Sequence, residues 1–248
     1  MSDNHFFHLH FNEISSSNDL AKKLWSDAKI KAHTLVSASY QNQGKGQQNN
    51  VWESEADKNL LFTIVVSPDF LKIEEQVFLN MAVSLAVYDY FTNKNISECF
   101  IKWPNDIMVN HKKVSGILIE NSISQNQIKV AFIGIGININ QTDFYTTQAN
   151  SLALITDKSY DLFEELKLFE KCFSKRYKQL KTQKQAIFQD YHEALYLKNV
   201  RAKFSYDNQL AHGKITGVNK VGQLLIIFDG GETKTFSNKE VQLINENT

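Results

Sequence analysis

The sequence predicts an α/β domain over residues 1–198 followed by a small β-barrel over residues 199–248, and three observations carry that expectation. Up to residue 198, runs with strand character lie between stretches whose apolar residues return every three or four positions, the mark of helices with one buried face. From about Asn199 the pattern changes to short strands parted by the turn sequences DN, NKVG and DGG. No repeat, low-complexity tract or long linker separates the two styles, and only two prolines occur, so the two parts are expected to pack together.

In chain order, the alternation in HFFHLHF reads as a strand, which SSSND interrupts with helix-capping residues. Leu20, Ala21, Leu24, Trp25 and Ala28 follow at helical spacing, with Ser16 or Ser17 as N-cap. TLVSASY reads as a strand, QNQGKGQQNN as a polar loop and LLFTIVVSP as a fully apolar strand. Residues 73–92 return to helical spacing through Val77, Phe78, Met81, Ala82, Leu85 and Tyr88. A meander follows: CFIKW, then IMVN and VSGILIEN around a His111–Lys112 turn, then IKVAFIGIGINI after a polar SISQNQ link. Leu162, Leu166, Phe169, Phe173, Tyr177 and Leu180 define a long helix, and Phe188, Tyr191 and Leu195 another. The closing strands are VRAKFSY, QLAHGKITGV, QLLIIFD and ETKTFS.

The totals narrow the function. Lys plus Arg and Asp plus Glu number 27 each, so no global positive field holds a nucleic-acid backbone or an anionic membrane, and any polyanion must meet a local site. Cys99 and Cys172 lie far apart, with neither CxxC spacing nor a disulfide framework. The N-terminal MSDNHFFHLHF has no basic segment followed by an apolar one, and no window approaches the ~18 apolar residues of a membrane span. A cytoplasmic setting with no membrane partner is the expectation.

Several stretches carry chemistry. QNQGKGQQNNVW combines two glycines, Lys45 and many amides: backbone N–H groups there can turn toward an anion, although the residue types fit a flexible polar loop as well. Neither a P-loop nor a dinucleotide fingerprint is present. In KWPND, Pro104 ends the strand and presents Asn105 and Asp106 at its rim, where they can hold a metal or hydroxylated ligand or close an Asx turn. Lys113 either points to solvent or reaches inward to a carboxylate and phosphate. The two glycines of GIGININ mark close approach of another backbone or a ligand. His5, His8 and His10 are spaced so that they divide between strand faces, which reads as structural rather than metal-binding.

Taken in order, SSSND, YQNQGKGQQNNVW, KWPNDI, KKVSGILIE and GIGININ resemble the biotin–protein ligases, also called biotin–[acetyl-CoA-carboxylase] ligases. The resemblance covers nearly the whole chain, and KWPND followed by KxxGIL(I/V)E is a highly specific part of it. It implies a catalytic domain related to class II aminoacyl-tRNA synthetases and lipoate ligases, with a mixed, largely antiparallel sheet, and a C-terminal SH3-like barrel. Members that repress transcription carry an N-terminal DNA-binding domain. Here the pattern begins almost at Met1, so the non-repressor type, without DNA as a partner, is expected.

The implied activity has two half-reactions: biotin and MgATP give biotinyl-5′-AMP and pyrophosphate, then a lysine of a biotin carboxyl carrier protein takes the biotin and AMP leaves. Residue by residue, the resemblance makes Lys113 the catalytic cation and Lys112 the solvated charge of the turn. It places Ser16, Ser17, Asn18, Gln41, Gly44, Lys45, Gly46, Lys113 and Gly116 against biotin. Lys45, Gln47, Trp52, Asn105, Asp106 and Asn138 fall on the nucleotide side, with Asp106 touching Mg²⁺ or water. The family often dimerises through an exposed sheet edge, and the sequence leaves open whether this chain forms such a homodimer. The loop departs from the arginine-rich GRGRxGRxW form: Lys45, Gln47, Asn49 and Asn50 stand where Arg, Arg, Gly and Arg would, which predicts weaker retention of the adenylate. The rival readings are a lipoate–protein ligase and a catalytically idle biotin-binding protein.

Overall fold

Seven strands of the N-terminal part form one sheet because their apolar residues are needed on two faces at once. The computed structural model describes residues 6–47 and 50–244. Strands β1 (Phe7–Ile14), β2 (Thr34–Gln41), β3 (Leu60–Val66), β4 (Cys99–Lys102), β5 (Asp106–Val109), β6 (Lys112–Ser124) and β7 (Gln127–Ile137) lie in the order β1-β2-β3-β7-β6-β5-β4. Only β1 and β2 pair in parallel, joined by a crossover through helix α1 (Ser17–Ser26); the other pairs are antiparallel. The sheet is therefore mixed and largely antiparallel.

Strand β3 shows how the layers are written into the chain. All seven of its residues are buried, as a strand covered on both faces must be. Leu60, Phe62, Ile64 and Val66 join the main core, whereas Val65 joins Ala21, Ile30, Val36, Val130 and Phe132 in a smaller core beneath α1. Thr63 shares the α1 face by strand periodicity and is 0% exposed.

Helices α2 (Gln76–Thr92), α4 (Leu162–Thr182) and α5 (Lys184–Glu193) cover the opposite face. Helix α2 is buried on nearly all sides because α4 and α5 pack outside it, and residues 73–75 ahead of it form a 3-10 turn rather than α-helix. Arg176 on α4 ties the layer together, donating from Nε and Nη2 to Asp89 at 2.7 and 2.8 Å and from Nη1 to Asp190. A short helix, α3 (Leu152–Thr156), capped by Ser151, has no counterpart in the sequence expectation.

The C-terminal strands β8 (Arg201–Tyr206), β9 (Gln209–Val218), β10 (Leu224–Phe228), β11 (Thr233–Phe236) and β12 (Gln242–Ile244) form a second antiparallel sheet in the order β11-β10-β9-β8-β12. It packs around Phe204, Tyr206, Phe228 and Phe236. The five antiparallel strands are those expected of the small C-terminal unit; among the described residues β11 and β12 do not pair, so the strand pairings do not close a barrel. The sheet meets the rest through Trp103, whose Nε1 donates to the Gly222 carbonyl at 2.9 Å, and through His192, whose Nε2 accepts from the Val218 amide at 2.9 Å.

His5 lies outside the described residues. His8 pairs with Glu170, and His10 Nδ1 lies 3.0 Å from Ser37 Oγ. Among the described residues no helix is long and apolar enough to cross a membrane.

Candidate active site

A narrow cleft, open to solvent, lies on the α1 side of the sheet, over Gly116, Gly134 and Gly136 of β6 and β7. Its closed end is the N-terminus of α1. Ser16 is the N-cap, and Ser16, Ser17 and Asn18 are all buried. Buried polar groups need partners, and these have them. The Ser17 amide donates to Gln41 Oε1 at 2.5 Å, which brings the end of β2 to the helix start. Thr63 Oγ1 lies 2.8 Å from Ser17 Oγ and 2.6 Å from Asn18 Oδ1. Asn18 Nδ2 donates to Glu120 Oε2 at 2.8 Å and to the Leu118 carbonyl at 3.3 Å, while Lys22 Nζ holds the other Glu120 oxygen at 2.5 Å. Gly134 on β7 makes room for this: a Cβ there would come within 2.6 Å of Asn18 Oδ1.

The glycine-rich segment is a small hairpin rather than an open polar loop. Lys45 bridges Val51, the Gly46 amide donates to the Asn50 carbonyl at 2.7 Å, and the Trp52 amide to the Gly44 carbonyl at 2.9 Å. Gln48 and Asn49 at its tip lie outside the described residues. Lys45 Nζ lies 2.5 Å from Asp19 Oδ2, and the hydrogen bond to that carboxylate raises the lysine's pKa. Gln47 Oε1 accepts from Asn238 Nδ2, between β11 and β12, at 2.8 Å.

Trp52 does more than end this loop. Its indole lies on the glycine floor, so that a Cβ on Gly136 would be 2.4 Å from Cε2 and one on Gly116 2.9 Å from Cζ3. Its Nε1 is buried with no hydrogen-bond partner.

KWPND and KKVSG form the other wall. Asn105, expected to present its amide at a rim, is 8% exposed and spends its Nδ2 on the Ile117 carbonyl; its own carbonyl accepts from the Ile117 amide at 3.1 Å. The tight β4–β5 turn draws the amide inward, and its main contact is a clasp onto β6. Asp106 lies opposite Gly116, and a register shift between Ile107 and Met108 sets Lys113 against Met108. Lys113 Nζ reaches Asp106 Oδ1 at 2.7 Å and sits 5.4 Å from the Trp52 ring centroid. The Lys113 backbone is held by a distant segment: its amide donates to the Gln148 carbonyl at 2.8 Å and its carbonyl accepts from the Asn150 amide at 2.9 Å.

Ser16, Ser17, Asn18, Gln41, Lys45 and Gly46 thus line the cleft, as do Gln47, Trp52, Asn105, Lys113 and Gly116. Gly44, Asp106 and Asn138 are not among its lining residues. Asn138 donates from Nδ2 to the Asn150 carbonyl at 3.0 Å, and its Oδ1 is buried without a partner. Thr63, Glu120 and residues 148–150 were not expected at the site. A hydroxyl inside the apolar run LLFTIVV is the one sequence signal that could have found Thr63.

For a metal, the donor set is sparse: among the described residues no three His, Cys, Asp or Glu side chains could hold an ion together. Asp106, whose Oδ1 is already bonded to Lys113, is a lone carboxylate, so an ion there would need most of its ligands from a bound substrate and water.

Comparison with known proteins agrees with this geometry. Residues 11–138 match the model of the biotin/lipoate A/B protein ligase family. The bifunctional ligase/repressor BirA of Bacillus subtilis is 28% identical over 238 residues, covering 93% of this chain and 72% of that protein. The biotin–[acetyl-CoA-carboxylase] ligase of Mycobacterium tuberculosis is 28% identical over 51% of this chain and 47% of its own length. Among solved structures, the biotin protein ligase of Aquifex aeolicus in complex with biotin and ATP superposes with a TM-score of 0.79 at 25% identity, covering 96% of this chain and 98% of that one.

Proposed function

Since the chain belongs to the biotin/lipoate A/B protein ligase family, we propose that it is an ATP-dependent biotin–protein ligase acting on a biotin carboxyl carrier protein. The observation that carries this reading is Lys113, an ammonium in the cleft beside Asp106 and over the glycine floor, with a buried polar end on one side of it. That arrangement suits the union of two anions.

In the first step a carboxylate oxygen of biotin attacks the α-phosphorus of ATP, the bond to the bridging oxygen breaks, and pyrophosphate leaves. The anions repel, so a fixed cation between them stabilises the crowded transition state more than the separate ground states. Lys113 supplies that cation, and the 148–150 clamp fixes its backbone. Asp106 orients the ammonium and would hold Mg²⁺, which neutralises phosphate charge when bound. The buried Asn138 Oδ1 and Trp52 Nε1 are unspent polar atoms that suit a nucleobase and an acyl phosphate. In the second step the uncharged amine of a carrier lysine attacks the acyl carbon, AMP leaves, and the new amide sheds a proton. Seating the mixed anhydride against the glycine floor would limit its contact with water.

The test supplies biotin, MgATP and an apo carrier domain and reads the mass of the carrier. One biotin on one lysine, with no addition when lipoate replaces biotin, is the expected result. Transfer of lipoate instead would make the chain a lipoate–protein ligase, and binding of biotin without transfer would make it an idle binding protein.

A further inference from the structure

We infer that Thr63, on the strand beneath the cleft, is a positioning residue that fixes the hydrogen-bond polarity of the cleft's closed end and so selects acids whose head group carries N–H donors. The inference rests on the biotin-ligase reading above and names a determinant of its selectivity.

The argument is one of proton counting. Thr63 is 0% exposed, so water cannot serve its hydroxyl. Its oxygen has two close neighbours, Asn18 Oδ1 at 2.6 Å and Ser17 Oγ at 2.8 Å. An amide oxygen can only accept, so the single Thr63 proton goes to Asn18. The contact with Ser17 then requires Ser17 to donate to Thr63. The proton order runs Ser17 Oγ to Thr63 Oγ1 to Asn18 Oδ1, leaving Ser17 with lone pairs and no proton for the cleft it lines.

The neighbouring groups admit no reversal. Asn18 cannot flip its amide, because Nδ2 is held by Glu120 Oε2 at 2.8 Å, and Glu120 is in turn held by Lys22. Ser17 therefore offers an acceptor alone. A ureido ring, with two N–H donors, satisfies it. A dithiolane ring has no donor, and would leave a desolvated acceptor unpaired, which is how a polar site rejects an apolar head.

The experiment compares Thr63→Val, which keeps the shape and removes the hydroxyl, with Thr63→Ser, which keeps the hydroxyl. Binding of biotin, desthiobiotin and lipoate is measured by calorimetry, and adenylation by biotin-dependent pyrophosphate exchange. Thr63→Val is expected to weaken biotin and desthiobiotin each by about tenfold, narrowing their advantage over lipoate, with kcat at saturating biotin held within about twofold. Thr63→Ser should restore the wild-type preference. Unchanged biotin affinity in Thr63→Val overturns the inference, and so does a uniform loss in affinity, kcat and melting temperature that Thr63→Ser fails to rescue. If the wild-type chain itself binds no biotin, the ligase reading falls first and this one with it.

Discussion

The two ends of the cleft are built on opposite plans. At the α1 end, the buried Ser17, Asn18 and Thr63 and the half-buried Gln41 and Glu120 satisfy one another through short bonds, and β3, β6 and β7 hold them from below. At the loop end, the groups are ionic or unspent: Lys45 leans on Asp19 at the surface, and Trp52 fills space over two glycines with its indole nitrogen idle. The difference teaches a division of labour. On the proposed reading, recognition of a small rigid head would be fixed before binding, while the region that would admit a triphosphate and later a macromolecule keeps contacts that break easily.

The largest test of that contrast is Lys113→Ala. It should cut adenylation about 10² to 10³-fold, with biotin binding at the α1 end retained, as pyrophosphate exchange and calorimetry on the same variant would show. Equal losses in both measurements would mean that the two ends are one unit.

A pair of alanine substitutions probes the plans directly. In Gly134→Ala the new Cβ meets Asn18 Oδ1 at 2.6 Å, inside a locked network; about 2 kcal/mol of stability should be lost, and biotin KM should rise about tenfold or more. In Gly136→Ala the Cβ meets the Trp52 indole, a side chain rather than backbone, and the ring is expected to shift. That variant should melt within about 1 kcal/mol of wild type and report itself by a change in tryptophan fluorescence. If Gly136→Ala proved the more damaging of the two for folding, Trp52 would belong to the rigid part.

Smaller still is Asp19→Asn, which releases Lys45 and should speed dissociation of the adenylate by about two- to threefold, measured by filter retention of labelled adenylate. The pH dependence supplies the last arm. Because Asp19 raises the Lys45 pKa above its ordinary value, the loop's tie to α1 is fully present below the usual lysine range and is lost as pH climbs through the raised value. Trp52 fluorescence, read in a chain with the other tryptophans replaced by Phe, should therefore stay flat through neutral pH and change only in strong alkali; in Asp19→Asn the change should come earlier.

Much of this was legible in the chain because its signals are local. The capping cluster at Ser16, the β4–β6 hairpins and the two-sided strand β3 follow from neighbouring residues alone. What escaped depends on contacts distant in sequence. Helix α3 has five residues, too few to show a period, and among the described residues β12 pairs only with β8 across the chain. Asn105 reads as a rim residue until the turn places it against Ile117. Thr63 hides in an apolar run because its partners are 46 and 45 positions away.

The backbone clamp on Lys113 bears on how this protein could be cut or grafted. The family-matched stretch ends at residue 138, but the carbonyl and amide that grip Lys113 belong to Gln148 and Asn150, and the Leu152 amide seats on the Asn138 carbonyl at 3.1 Å. A fragment or chimera stopping at 138 would carry every recognisable motif and still present its key ammonium on an untethered strand start. The smallest transplantable piece of this chemistry runs at least through Leu152, beyond the point where its motifs end.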